Sequence, residues 1–156
     1  AVNGYSGVVR GGTGGDTINV LSLADAGVLV AAGGGADTIN LGGTAGMVLV
    51  QLSQGDTGST VASADTVNGF DAALDKIDLR NFGFDVALQG VDNNGGTALD
   101  GTAGEFGGLA VSKAVVGGNT QVYVDTNGDN RLSDGDLVIV LNGVNAGFDN
   151  ADVVWF

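Results

Sequence analysis

The chain is expected to be all-β, a short right-handed parallel β-roll of about three coils of roughly 20 residues each, capped by an antiparallel C-terminal β subdomain. Three observations predict this. Residues 7–70 repeat, with Asp16-Thr17-Ile18-Asn19, Asp37-Thr38-Ile39-Asn40 and Asp65-Thr66-Val67-Asn68 each following a turn. The 156 residues hold 30 Gly and no Pro, yet 44% are hydrophobic, so the chain folds with many tight turns rather than staying disordered. Of the 18 acids, 17 are Asp and one is Glu105, which removes a good helix former and favours turns.

The elements follow in order. Gly7-Val8-Val9-Arg10 reads as a strand, 11–16 as a turn and 17–20 as a second strand. The second unit repeats this with Gly27-Val28-Leu29-Val30, the turn 33–37 and 38–41; a third opens at Gly46. A period near 20 with two β segments is that of a stacked coil, in which like strands pair into two parallel sheets. Val8, Val28 and Val48 are expected to stack on one sheet, and Ile18, Ile39 and Val67 on the other.

The turns carry the chemistry. Residues 11–19, Gly-Gly-Thr-Gly-Gly-Asp-Thr-Ile-Asn, have the form G-G-x-G-x-D-x-U-x, where U is apolar. Glycines at positive φ crowd backbone carbonyls together, and the Asp adds a hard anionic oxygen. Ca²⁺ takes six to eight such oxygens. Candidate ligands are Gly12, Gly14 and Asp16 in the first turn and Gly33, Gly35 and Asp37 in the second. The pattern erodes: Ala32 replaces a glycine, and Val61 and Ser63 stand where the third turn needs two more. Asp56 and Asp65 compete for that turn's acidic position. The opposite turns, 21–26 and 42–46, lack the pattern, and Asp25 there is expected to face water, so calcium is placed along one edge.

The nonapeptide resembles the calcium-binding repeat of RTX proteins. Residues 64–84 resemble the stretch that closes the roll in that family, including serralysin-type C-terminal domains and the R-modules of alginate epimerases. The match rests on Asp65-Thr66-Val67-Asn68-Gly69-Phe70-Asp71 and Asp75-Lys76-Ile77-Asp78-Leu79, with Gly69 standing where the family often has Asp. Ile77, Leu79, Phe82 and Phe84 are expected to plug the end of the core. The acids of this segment, Asp71 among these, bind a further ion or face water.

Residues 85–120 read as strands and loops without evident chemistry. Residues 125–136 form a second motif, with Asp125, Asn127, Asp129 and Asp136 at positions 1, 3, 5 and 12 of an EF-hand-like loop and the Arg131 carbonyl at position 7. Asn130 stands where such loops carry Gly, and it tolerates positive φ. Asp rather than Glu at position 12 resembles dockerin-like loops. The flanks, 121–124 and 137–140, are β-branched and read as strands, not helices.

Composition excludes several functions. Five Lys and Arg against 18 acids, a net charge of −13, leave no basic surface for nucleic acid or anionic membranes. There is no His or Cys, which removes His-based triads, thiol chemistry and most zinc sites. Asp56-Thr57-Gly58-Ser59 spells an aspartic-protease D-T-G-S, but that chemistry needs two facing carboxylates. No apolar run is long enough to insert in a membrane, and no N-terminal signal pattern is present.

The expectation is a non-enzymatic calcium module, with roll 1–70 and cap 71–156, forming the C-terminal part of a larger exported bacterial protein. The resemblance implies a type I secretion exporter as partner, an extracellular or cell-surface location, and folding on Ca²⁺ after export. The apolar tail Val153–Phe156 after Asp152 resembles the uncleaved C-terminal signal of such substrates. The alternative is a surface-layer, adhesin or carbohydrate-binding module, with structural calcium and self-assembly or polysaccharide contact.

Overall fold

The computed structural model describes residues 5–20, 27–42 and 46–156. Asp25 and the turn 21–26 lie outside these residues, as do 43–45 of the other opposite turn. The described strands are β1 (Tyr5–Thr13), β2 (Thr17–Val20), β3 (Gly27–Gly34), β4 (Thr38–Leu41), β5 (Val48–Gln51), β6 (Asp65–Asn68), β7 (Lys76–Asp78), β8 (Val91–Asn93), β9 (Val111–Val116), β10 (Asn119–Val124), β11 (Leu137–Asn142) and β12 (Val153–Val154).

They form two sheets, in the orders β1-β3-β5-β7-β12 and β2-β4-β6-β11-β10-β9-β8. Odd and even strands of the repeat separate onto opposite sheets because each turn reverses the chain onto the facing side. Every pairing within the repeat is parallel, as stacked coils require. Beyond it, β11 pairs in parallel with β6 and antiparallel with β10, so the β9-β10-β11 meander continues the second sheet. β12 adds to β7 on the first. Side chains from both sheets, including Ile39, Val67, Val30, Val50, Ile77 and Ile139, meet in one buried core. Phe82 and Phe84 stack 5.4 Å apart beside that core, and Trp155 meets Phe84 edge-on. A second, smaller core lies around Tyr123, Val138 and Phe106.

Ile18, Ile39 and Val67 stack in register as expected. Val28 and Val48 also pair, but Val8 does not join them: Gly7 faces Val28 and Val8 faces Leu29. The turn sets this register. Gly12 aligns with Gly33, and counting four residues back from each gives Val8 and Leu29. Val9 therefore leads the inward row Val9, Val30, Val50, Ile77, Val153. Val8 is left on the outer face, 56% exposed.

Two features lock the coils in register. On the outer face of the second sheet, Asn40 Nδ2 donates to Asn19 Oδ1, Asn68 Nδ2 to Asn40 Oδ1, and Asn142 Nδ2 to Asn68 Oδ1, at 2.7–2.8 Å. At the turn edge the glycine backbones press together. Gly33 has φ +95°, and a Cβ there would lie 2.2 Å from the Gly12 carbonyl oxygen.

Candidate metal centre

The stacked turns bring three of the candidate acids into one ladder. Asp16 Oδ2 accepts the Gly12 N–H at 2.8 Å. The Asp16 N–H donates to Asp37 Oδ1 at 2.7 Å, and the Asp37 N–H to Asp65 Oδ1 at 2.9 Å. Each carboxylate thus spends one oxygen on a backbone N–H. Asp37 and Asp65 are 1% and 0% exposed, and the second oxygen of each, Oδ2, is buried with no hydrogen-bond partner.

Asp56 and Asp65 turn out to hold different places. The glycine row runs from Gly14, whose N–H donates to the Gly34 carbonyl at 2.6 Å, to Gly35, whose N–H donates to the Asp56 carbonyl at 3.0 Å. Asp56 continues the glycine row through its backbone, and Asp65 continues the carboxylate row. Residues 57–64 make an excursion between the two. Thr57 pins it, with Oγ1 accepting the Asp65 N–H at 2.9 Å and donating to the Val138 carbonyl at 2.8 Å. Gly12, Gly14, Gly33 and Gly35 therefore line the same edge as Asp16, Asp37, Asp56 and Asp65.

This concentration of negative charge is unfavourable without a cation. Burial, reinforced by the Asp37 and Asp56 carboxylates, pushes the Asp65 carboxyl up to about 7 from 3.8. Burial also raises Asp56. A carboxyl whose pKa is higher folded than unfolded binds more protons in the native state. Its contribution to stability is therefore present below about pH 4 and is lost as pH rises through about 7. In chelator, the denaturation midpoint is expected to fall between pH 5 and 8. A flat or rising profile there would contradict the ionisation assigned to Asp65.

A second group of acids forms at residues 125–136. A carboxylate oxygen of each of Asp125, Asp129 and Asp136 lies within 4.8 Å of the other two. The loop is folded by its own acids. Asp125 accepts the N–H groups of Gly128 and Asn130, and Asp136 those of Thr126 and Ser133, all at 2.7–2.8 Å. Asn127 Oδ1 accepts the Asp129 N–H, while its amide donates to Ser133 Oγ. The Arg131 N–H reaches Asp129 Oδ1 at 3.2 Å, leaving the Arg131 carbonyl at position 7. Asn130, at φ +61°, is the one non-glycine residue with positive φ among the described residues. The flanking β10 and β11 pair antiparallel from Val124 and Leu137 outward, so the loop is a hairpin tip between strands.

Both regions have the donor set of a hard cation: carboxylate oxygens, backbone carbonyls and no nitrogen or sulfur ligand. The ladder adds two buried oxygens with no other partner. Asp71 lies apart from both, in a turn where its N–H donates to Asp75 Oδ2 and its own Oδ1 accepts from Ala73 N.

No family model and no curated protein matches the chain. Solved structures do. The solution structure of the AlgE6R2 subunit of the Azotobacter vinelandii mannuronan C5-epimerase superposes with a TM-score of 0.56 at 18% identity, over 94% of this chain and 91% of that one. The AlgE6R3 subunit of the same enzyme gives 0.50 at 21% identity, over 99% and 84%. The fold is a β-roll.

Sequence reasoning missed three residues that join the parts of the roll. Asp75, 1% exposed, accepts N–H groups from Asp71 and from Val48 of β5. Glu105 gathers the N–H groups of Asp100, Gly101 and Leu132, tying the 100–105 loop to the 125–136 loop. Gln54 Nε2 donates to the Gly135 carbonyl at 2.9 Å, linking the third turn of the roll to that same loop. Glu105 carried a signal as the single Glu in an Asp-dominated chain, and Asp75 as the first residue of the Asp75-Lys76-Ile77-Asp78-Leu79 match; Gln54 carried none.

Proposed function

We propose that this chain is a non-catalytic, calcium-binding module that completes its fold when Ca²⁺ fills the turn edge and the 125–136 loop. The observation that carries the reading is the pair of buried, unpartnered oxygens, Asp37 Oδ2 and Asp65 Oδ2. Buried polar groups normally have partners, and an isolated buried carboxylate charge is costly. A divalent cation held by Asp37, Asp65 and neighbouring turn carbonyls would satisfy both oxygens and their charge. The three-acid cluster at Asp125, Asp129 and Asp136 would hold an independent ion.

The finer setting is a piece of an exported bacterial protein, delivered by a type I exporter and acting outside the cell. Its support is the RTX-like turn pattern together with the charge. At −13, the metal-free chain repels itself and suits passage through a narrow channel in an open state. Outside, calcium modules bind at roughly 10⁻⁴–10⁻³ M. Each site filled at about 100 times its Kd adds about 2.7 kcal/mol. Three such sites would supply about 8 kcal/mol, a large share of the roughly 5–15 kcal/mol typical of a domain.

The test is a calcium titration of chelator-treated protein, followed by far-UV circular dichroism and calorimetry. Strand signal is expected to rise cooperatively, with more than one ion bound per chain. Full strand content in excess chelator, unchanged by calcium, would sink the proposal.

A further inference from the structure

The structure also holds a cleft of about 380 Å³ that no calcium ligand explains. Its floor is Tyr123 and Val138, cross-strand partners on β10 and β11, and Leu99 lies beside them. One wall is the 59–61 segment. There Val61 is 51% exposed, held outward by a 3₁₀ turn, Val61–Ser63, whose Thr60 and Ser63 hydroxyls bond at 2.8 Å. The mouth carries two exposed carboxylates, Asp100 and Asp134.

The chemistry of this cleft is one-sided. No Lys or Arg lines it. Asp134 makes no hydrogen bond or ion pair with the described residues, although it sits at position 10 of the 125–136 loop, outside the candidate ligands. An apolar floor beneath unneutralised carboxylates complements a side chain with an aliphatic stem and a cationic head. The volume lies at the small end of ligand sites, enough for one or two residues. We infer that this cleft binds the Lys or Arg side chain of a basic peptide segment, with the stem on Val61, Ala98 and Leu132 and the head at Asp100 and Asp134. The net charge of −13 would steer such a partner toward the module. An anionic polymer would be repelled at the same place.

The inference rests on the calcium reading in one respect: Ser133 and Asp134 are placed by a loop whose Asp136 carboxylate accepts both the Ser133 N–H and its hydroxyl. Binding is therefore measured on the full chain in saturating calcium. The probes are a blocked hexapeptide with one Lys flanked by Leu, the same peptide with Glu in place of Lys, and a neutral oligosaccharide. The readout is amide shifts in ¹⁵N-labelled protein. The Lys peptide is expected to shift Val61, Leu99 and Asp134 and to bind at least tenfold more tightly than the Glu peptide. In D100N/D134N that preference should collapse at least fivefold, while the calcium titration stays as in the wild type. Equal binding of both peptides, no shift at these residues, or shifts with the oligosaccharide alone would overturn the assignment. Failure of the calcium reading shows separately, in the peptide-free titration.

Discussion

Asp65→Asn is expected to change the sign of its effect when calcium is added. In chelator at pH 8 the variant should be more stable than the wild type, by on the order of 2 kcal/mol. The reason is burial: the Asp65 carboxyl is pushed up to about 7 with the Asp37 and Asp56 carboxylates close by, so ionising it strains the native state. The amide is neutral, has nearly the same shape, and keeps an oxygen to accept the Asp37 N–H. In saturating calcium the order should reverse. The variant loses an anionic ligand, and with it much of the roughly 2.7 kcal/mol that one filled site contributes at 100 times its Kd. Urea midpoints in the two buffers decide the matter. An ordinary structural role for Asp65 predicts loss in both; a purely repulsive one predicts gain in both. Only a cation ligand predicts opposite signs.

Gly33→Ala is expected to be among the most damaging single methyl additions to this chain. At φ +95° an L side chain is already strained, which costs about 1–3 kcal/mol. The added Cβ would also lie 2.2 Å from the Gly12 carbonyl oxygen, and backbone cannot swing aside as a flexible side chain can. Forcing the coils apart adds a comparable cost from overpacking. Together these predict a loss of about 3–5 kcal/mol, or a fall in Tm of about 10 °C. Gly14→Ala provides the control. Its φ is +103°, but nothing lies within 4 Å of its added Cβ, so it pays for the dihedral alone. Equal losses in the two variants would show that the close stacking of turns contributes nothing.

The roll was legible because its signals are local and repeated. Asp-Thr-Ile-Asn recurs at 16 and 37, and Asp-Thr-Val-Asn at 65, and the glycines before the first two name the turn. Register was less legible. Aligning strand starts put Val8 over Val28, whereas alignment from the turn, where backbones touch, puts Val8 over Leu29. The rivalry of Asp56 and Asp65 could not be settled from sequence, because both are used and the excursion at 57–64 separates their roles. The hairpin around 125–136 was read from its own residues. Its seat beside β6 was not, because the Val67–Leu141 pairing joins residues far apart in the chain and leaves no spacing to count. Gln54 and the contact of Asp75 with Val48 were invisible for the same reason: each acts on a backbone brought near only by folding.

The asparagine ladder bears on how such a chain can grow or shrink. Three of its four asparagines donate in one direction, from Asn142 through Asn68 and Asn40, and Asn19 accepts at the end. A whole coil gained or lost leaves another asparagine at the next rung. A single residue gained within a strand turns the amide to the opposite face and breaks the line. The excursion at 57–64 shows the permitted alternative. It leaves and returns at the turn edge, and Asn68 still reaches Asn40 at 2.7 Å. Changes of length in this architecture are thus confined to two kinds, entire coils or outward loops at the edge, while the strands keep their count.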